Sequence, residues 1–147
     1  MALSEGTTLK DGRYQIVKLL AYGGYGFTYL AQDRLSNRQV VLKELIPALA
    51  DHTDAVRRFV REARTMQRLR HPNIVQVHDF DHTGDLYYMV MELIDGPSLR
   101  DELHARGLSG KLLTLPEVAR IFGALGSAID YAHNQGMVHH DLKPANI

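Results

Sequence analysis

Asp141, Lys143 and Asn146 stand at fixed spacing in the run Gly136-Met-Val-His-His-Asp-Leu-Lys-Pro-Ala-Asn-Ile147, just after a long apolar stretch. A carboxylate, an ammonium and an amide in one short loop are groups suited to chemistry. Upstream, Ala21-Tyr-Gly23-Gly24-Tyr-Gly26-Phe-Thr28 lets the backbone come close to a bound group, because glycine has no side chain to hold it off. Polyphosphate is the natural candidate; without partners, such a turn between strands is more often just a hairpin.

Two lone charges supply those partners. Lys43 is the only charge in the apolar run Val40-Val41-Leu42-Lys43, and on a helical wheel Glu62 falls with Ala55, Phe59, Met66 and Leu69 on the face expected to be buried. Each charge is costly there alone, and each would satisfy the other. Held by Glu62, Lys43 would present its ammonium to phosphate oxygens under the glycine turn. The alternatives are an ion pair that only organises the core, or a Glu62 that reaches water.

The elements that must position these residues are legible in the periodicity. Residues 14–21, 27–33 and 38–45 read as strands, the first two joined by the glycine turn, with Pro47 ending the pairing. Residues 54–70 switch to helical spacing, with Val56, Phe59, Val60, Ala63 and Met66 on one face and Arg57, Arg61, Arg64 and Arg68 on the other. Residues 75–81 and 86–93 form a further hairpin, and Asp95-Gly-Pro97 breaks the pattern. Residues 98–104 read as a short helix. Thr114-Leu-Pro-Glu117 has the form of a capping box before a helix that runs to Gly136. The expected division is a sheet unit over residues 1–94 and a helical unit over residues 95–147.

Composition narrows the function classes. With 45% apolar and 23% charged residues the chain has the make-up of a soluble globular protein. Seventeen basic residues balance seventeen acidic ones, which argues against nucleic-acid binding. The arginine face of the helix is most simply solvated; the other reading is a surface that receives a partner or a regulatory domain. There are no cysteines, which excludes disulfides and thiol catalysis and fits a reducing cytosol. The opening MALSEGTTLK is not a signal peptide and no run approaches a membrane span, so the expectation is a cytoplasmic chain with no membrane segment in its 147 residues. The histidines show no metal-ligand spacing; packing or capping is expected of His71 and His133.

In order along the chain, the glycine turn, the Val-Val-Leu-Lys strand with its helix glutamate, and His139-His140-Asp141-Leu142-Lys143-Pro144-Ala145-Asn146 resemble the N-terminal half of a eukaryotic-type serine/threonine protein kinase of the sort also found in bacteria. The resemblance runs from about Tyr14 to the last residue. It implies an α+β protein-kinase-like fold: a five-stranded antiparallel N-lobe sheet with helix C, then the first helices of a helical C-lobe. It also implies ATP and Mg2+ as cofactors and a protein substrate phosphorylated on serine or threonine. Lys43 would pair with the α and β phosphates and Glu62 would orient it, while Ala21, Gly23, Gly24 and Gly26 form the loop over the nucleotide. Adenine would lie between Thr28, Val41 and the backbone of Glu92 and Ile94, with Met91 as gatekeeper. Asp141 would accept the substrate hydroxyl proton, Lys143 would touch the transferring phosphate, and Asn146 would hold the metal.

Three positions depart from the family pattern: Ala21 replaces the first glycine, Thr28 a valine, and His140 the arginine before the catalytic aspartate. A largely neutral imidazole does not reproduce that arginine's bidentate contacts to a phosphorylated activation loop, which puts such control in doubt. The other reading is that His140 packs beside His139. The resemblance also implies an Asp-Phe-Gly segment and most of a C-lobe after Ile147, so the expectation is a fragment inactive by itself. The alternative is a short pseudokinase acting as a nucleotide-binding or interaction module.

Overall fold

The computed structural model describes residues 2–23, 26–45 and 53–147. Gly24 and Pro47, both singled out in the sequence, lie outside the described residues. The chain divides into two compact units, one of residues 1–68 and 75–93 and the other of residues 69–74 and 94–147.

The first unit is built on an antiparallel sheet. Its strands are β1 (Thr8–Leu9), β2 (Tyr14–Gly23), β3 (Gly26–Asp33), β4 (Arg38–Glu44), β5 (Val77–Thr83) and β6 (Leu86–Glu92), in the order β1-β2-β3-β4-β6-β5. The five longer strands are those expected; the two-residue β1 is added at the edge beside Tyr14 and Gln15. Alternation along β4 decides which side chain meets which core. Val40 and Leu42 point into a cluster with Tyr14, Ile16, Tyr29, Ala31, Tyr88 and Val90. The opposite face carries a second cluster of Leu45, Val77 and Met89, covered by Phe59 and Ala63 of helix α1 (Thr53–Met66).

Glu44 shares the parity of Val40 and Leu42 and is therefore buried, 1% exposed, with its Oε2 accepting a 2.8 Å bond from the Tyr29 hydroxyl. The Tyr29 oxygen in turn accepts from the Leu3 N–H at 2.8 Å, which ties the N-terminal segment to the sheet. Burial pushes the Glu44 carboxyl above its ordinary value, and the Tyr29 bond offsets part of the rise. At the turn after β3, Asp33 receives Nε and Nη2 of Arg13 at 3.0 and 2.9 Å, the Leu35 N–H at 3.0 Å and the Ser36 hydroxyl at 3.0 Å. The Arg13 bond is the main reason its carboxyl lies far below the usual range, against the opposing pull of burial.

The second unit holds helices α2 (Leu99–Leu108) and α3 (Leu115–Asn134) and a 3-10 turn, Pro144–Asn146. The capping box read at Thr114 forms: Glu117 Oε2 accepts the Thr114 N–H at 2.8 Å, while the Thr114 side chain accepts the Glu117 N–H at 3.4 Å. A second box, Ser98 with Asp101, opens α2. Arg106 of α2 grips the same Glu117 with two nitrogens, at 2.8 and 3.1 Å, and joins the two helices. That guanidinium, with help from Thr114, holds the Glu117 carboxyl down at about 2. Helix α2 runs four residues beyond the expected His104, through Gly107, because its capping box and the Arg106 to Glu102 bond at 2.6 Å support a further turn.

Candidate active site

In the second unit the loop after α3 gathers the three residues that its spacing brought forward. Asp141 Oδ2 lies 2.8 Å from Lys143 Nζ and accepts from Asn146 Nδ2 at 3.1 Å. The same amide nitrogen donates to the Asp141 carbonyl at 2.8 Å. Pro144 starts the 3-10 turn, whose Asn146 N–H donates to the Lys143 carbonyl at 2.8 Å, so backbone geometry sets where the amide points. The Lys143 bond is the main reason the Asp141 carboxyl lies below its ordinary value; desolvation opposes it, and the Asn146 bond adds to the lowering. The carboxylate is ionised near neutrality and solvent-accessible.

Two contacts that the sequence did not announce fix the front of this loop. The Asp141 N–H donates to the His139 carbonyl at 2.9 Å, a three-residue turn with His140 at its centre, and also lies 3.2 Å from His139 Nδ1. His140 pays for that turn with a φ of 59°, the left-handed region that non-glycine residues seldom occupy. Of the two readings of His140, packing beside His139 finds no support, since both residues are exposed. The back of the loop is held by the Leu99 N–H at the start of α2, which donates to the Ile147 carbonyl at 2.7 Å.

In the first unit, strand register lines up the residues nominated for nucleotide contact. Ala21 pairs with Thr28, Thr28 with Lys43, and Lys43 with Met89; one rung on, Leu30 pairs with Val41 and Val41 with Met91. Directly paired residues share a face. Ala21, Thr28, Val41, Lys43 and Met91 therefore occupy one face of the sheet, the face that also carries α1. At Gly23 an added Cβ would meet nothing within 4 Å, so the backbone there is open to close approach. Glu92 points to the other face, where its Oε1 accepts the Gln76 N–H at 2.6 Å while its own N–H donates to the Gln76 carbonyl at 2.9 Å. Ile94, in the second unit, is exposed.

Glu62 departs from its expected setting. It is exposed and not on a buried face. The wheel reading counted Leu69, but α1 ends at Met66. Without that position the buried stripe centres between Phe59 and Ala63, and Glu62 lies roughly 80° from its middle at about 100° per residue.

Comparison with known proteins identifies the family and the fold. The model of the protein kinase domain matches residues 14–147. The chain is 40% identical over 137 residues to the serine/threonine-protein kinase PrkC of Bacillus subtilis, and 38% identical over 136 residues to PknD of Mycobacterium tuberculosis. Those matches cover 93% and 92% of this chain but 20% of each relative. Among solved structures, the kinase domain of M. tuberculosis PknI superposes with a TM-score of 0.83 at 34% identity, over 99% of this chain and 56% of that one. The chain belongs to the protein kinase domain family, with bacterial serine/threonine kinases among its relatives, and has the protein-kinase fold over a little more than half of a solved kinase domain.

Proposed function

We propose that this chain supplies the nucleotide-holding strands and the catalytic loop of a cytoplasmic, ATP-dependent serine/threonine protein kinase, which transfers the γ-phosphate of ATP to serine or threonine hydroxyls of a protein substrate. The observation that carries the reading is the Asp141 carboxylate held at once by Lys143 and Asn146. Asp141, kept ionised by those two groups, accepts the hydrogen bond of the incoming hydroxyl and takes its proton at Oδ. A carboxylate of lowered basicity suits a loose transition state, in which the hydroxyl needs positioning more than early deprotonation. Lys143 turns from Asp141 to the transferring phosphate.

Thr28, Val41 and Met91 form the apolar seat for adenine, which bonds to the backbone of Glu92 and Ile94. Ala21, Gly23, Gly24 and Gly26 allow the hairpin to lie close over the phosphates. Lys43 grips the phosphates, and Glu62 is its proposed partner in the nucleotide-bound state. Mg2+ prefers oxygen donors and takes one or two from protein, leaving the rest to phosphate and water. The Asn146 side-chain oxygen fits that need, since its hydrogen bonds to Asp141 run through Nδ2 and leave the oxygen out of them. When bound, the metal neutralises phosphate charge.

The test is transfer from γ-labelled ATP with Mg2+ to a serine- and threonine-rich acceptor, by the protein that carries this chain. Label on serine or threonine that disappears in Lys43→Met and in Asp141→Asn supports the proposal. Label that survives both substitutions overturns it, and nucleotide binding with no transfer at all points instead to a nucleotide-binding module.

A further inference from the structure

Arg57, Arg61, Arg64 and Arg68 are all exposed and line an open groove of about 430 Å³ along α1 and the turn that follows it, with Val56 and Val60 supplying apolar lining. Among the described residues their one ion pair is Arg57 with Asp54, at 3.9 Å between two well-exposed side chains. Like charges one turn apart repel, and here four follow one another along a single flank. The chain as a whole carries no net charge, so this is a local concentration of cations and not a general basicity.

The setting discriminates among anionic partners. A membrane-surface helix needs its apolar face for lipid; the apolar face of α1, with Phe59 and Ala63, is buried against the sheet. A nucleic acid is tracked by cations spread along its backbone, whereas these four span only about 16 Å at 1.5 Å per residue. Neither partner uses the half-buried Val56 and Val60 that line the groove along one side of the cations, where the arginine stripe meets the core-facing side of α1. A polypeptide does: about five extended residues cover the same length, with carboxylates reaching the arginines and one apolar side chain entering the groove.

We propose that this outer face of α1 docks an acidic protein segment that carries a single apolar anchor, its carboxylates on Arg57, Arg61, Arg64 and Arg68 and its anchor between Val56 and Val60. The surface uses none of the residues assigned to nucleotide or to transfer, so it stands or falls separately from the kinase reading. The probe is a fluorescent peptide of glutamates and aspartates around one central phenylalanine, followed by anisotropy with the whole chain. Binding is expected to weaken about tenfold or more in Arg61→Glu/Arg64→Glu, to weaken as salt screens the pairs, and to fall when the phenylalanine is replaced by glycine. A lysine version of the peptide is expected to prefer the double variant, a readout that loss of folding would not give. Equal affinity for wild type and variant overturns the proposal, as does tighter binding of single-stranded RNA or anionic vesicles than of the peptide.

Discussion

Asp141 concentrates the chemistry of the molecule in one carboxylate, and its neighbours set its protonation. Asp141→Asn keeps the shape and the backbone turn but removes the negative charge, so in the protein that carries this chain transfer is expected to fall by about 10² to 10⁴, the usual contribution of a positioned base. ATP affinity, measured by titration calorimetry, is expected to stay unchanged; a matching loss of affinity would assign Asp141 to nucleotide holding instead. Lys143 and Asn146 lower the Asp141 pKa, so the carboxyl takes up its proton at a lower pH than an unpaired aspartate would. Lys143→Ala removes the larger of the two causes, and the carboxyl resonance of Asp141 in an NMR titration is expected to move its midpoint upward. The loop was legible because its contacts join residues two to five positions apart, which spacing alone reveals. Glu62 was misplaced for the opposite reason: its burial depends on where α1 stops, and Leu69 extended the wheel beyond that point.

The sheet owes its edges and turns to buried polar groups, and two of them respond to pH in opposite directions. Asp33 has a folded pKa below its unfolded value, so its contribution is present above the ordinary carboxylate range and is lost as pH falls through the folded value. Asp33→Asn keeps the side chain's size but breaks the charge-assisted fork to Arg13, which is 32% exposed. A loss of about 2 kcal/mol in urea unfolding is expected, below the value for a fully buried pair. Glu44 is the reverse case, with a folded pKa raised by burial. Its unfolded form gives up the proton first, so stability falls as pH rises from the unfolded value through the folded one. Glu44→Gln is expected to remove that decline, making the variant's stability relative to wild type greater at pH 8 than at pH 4; parallel curves would show Glu44 protonated throughout or ionised without cost. The five longer strands and the hairpins were readable from alternation and turn residues, whereas the pairing of β4 with β6, distant in sequence, was not. The same alternation placed Glu44 beside Val40 and Leu42, but Lys43 drew the reading because it interrupts an apolar run, while Glu44 at the strand's end looked like a boundary residue.

At the scale of the molecule the two units bury very different amounts of side chain. In the first, the two clusters on opposite faces of the sheet include Tyr14, Tyr29, Leu42, Val90 and Met89, all at 1% exposure or less. In the second, Leu69 and Ala128 are the buried apolar residues among those described, while Phe122 of α3 is 67% exposed and Leu115 is 85% exposed. Helical hydrogen bonds and the Arg106–Glu117 fork hold α2 and α3 together, but a 20-residue helix that buries so little depends on local propensity, which leaves isolated helices marginal in water. Opening free energies follow buried apolar contact, so exchange should separate the two units. In hydrogen–deuterium exchange of the 147-residue chain, amides of β3, β4 and β6 are expected to exchange roughly a hundredfold or more slowly than those in the middle of α3, a gap of about 3 kcal/mol in opening. A hydrophobic dye should bind, and its signal should fall on Phe122→Ser with no change in β4 protection. Equal protection in α3 and β4 would mean that the helical unit gains stability from something other than buried side chains.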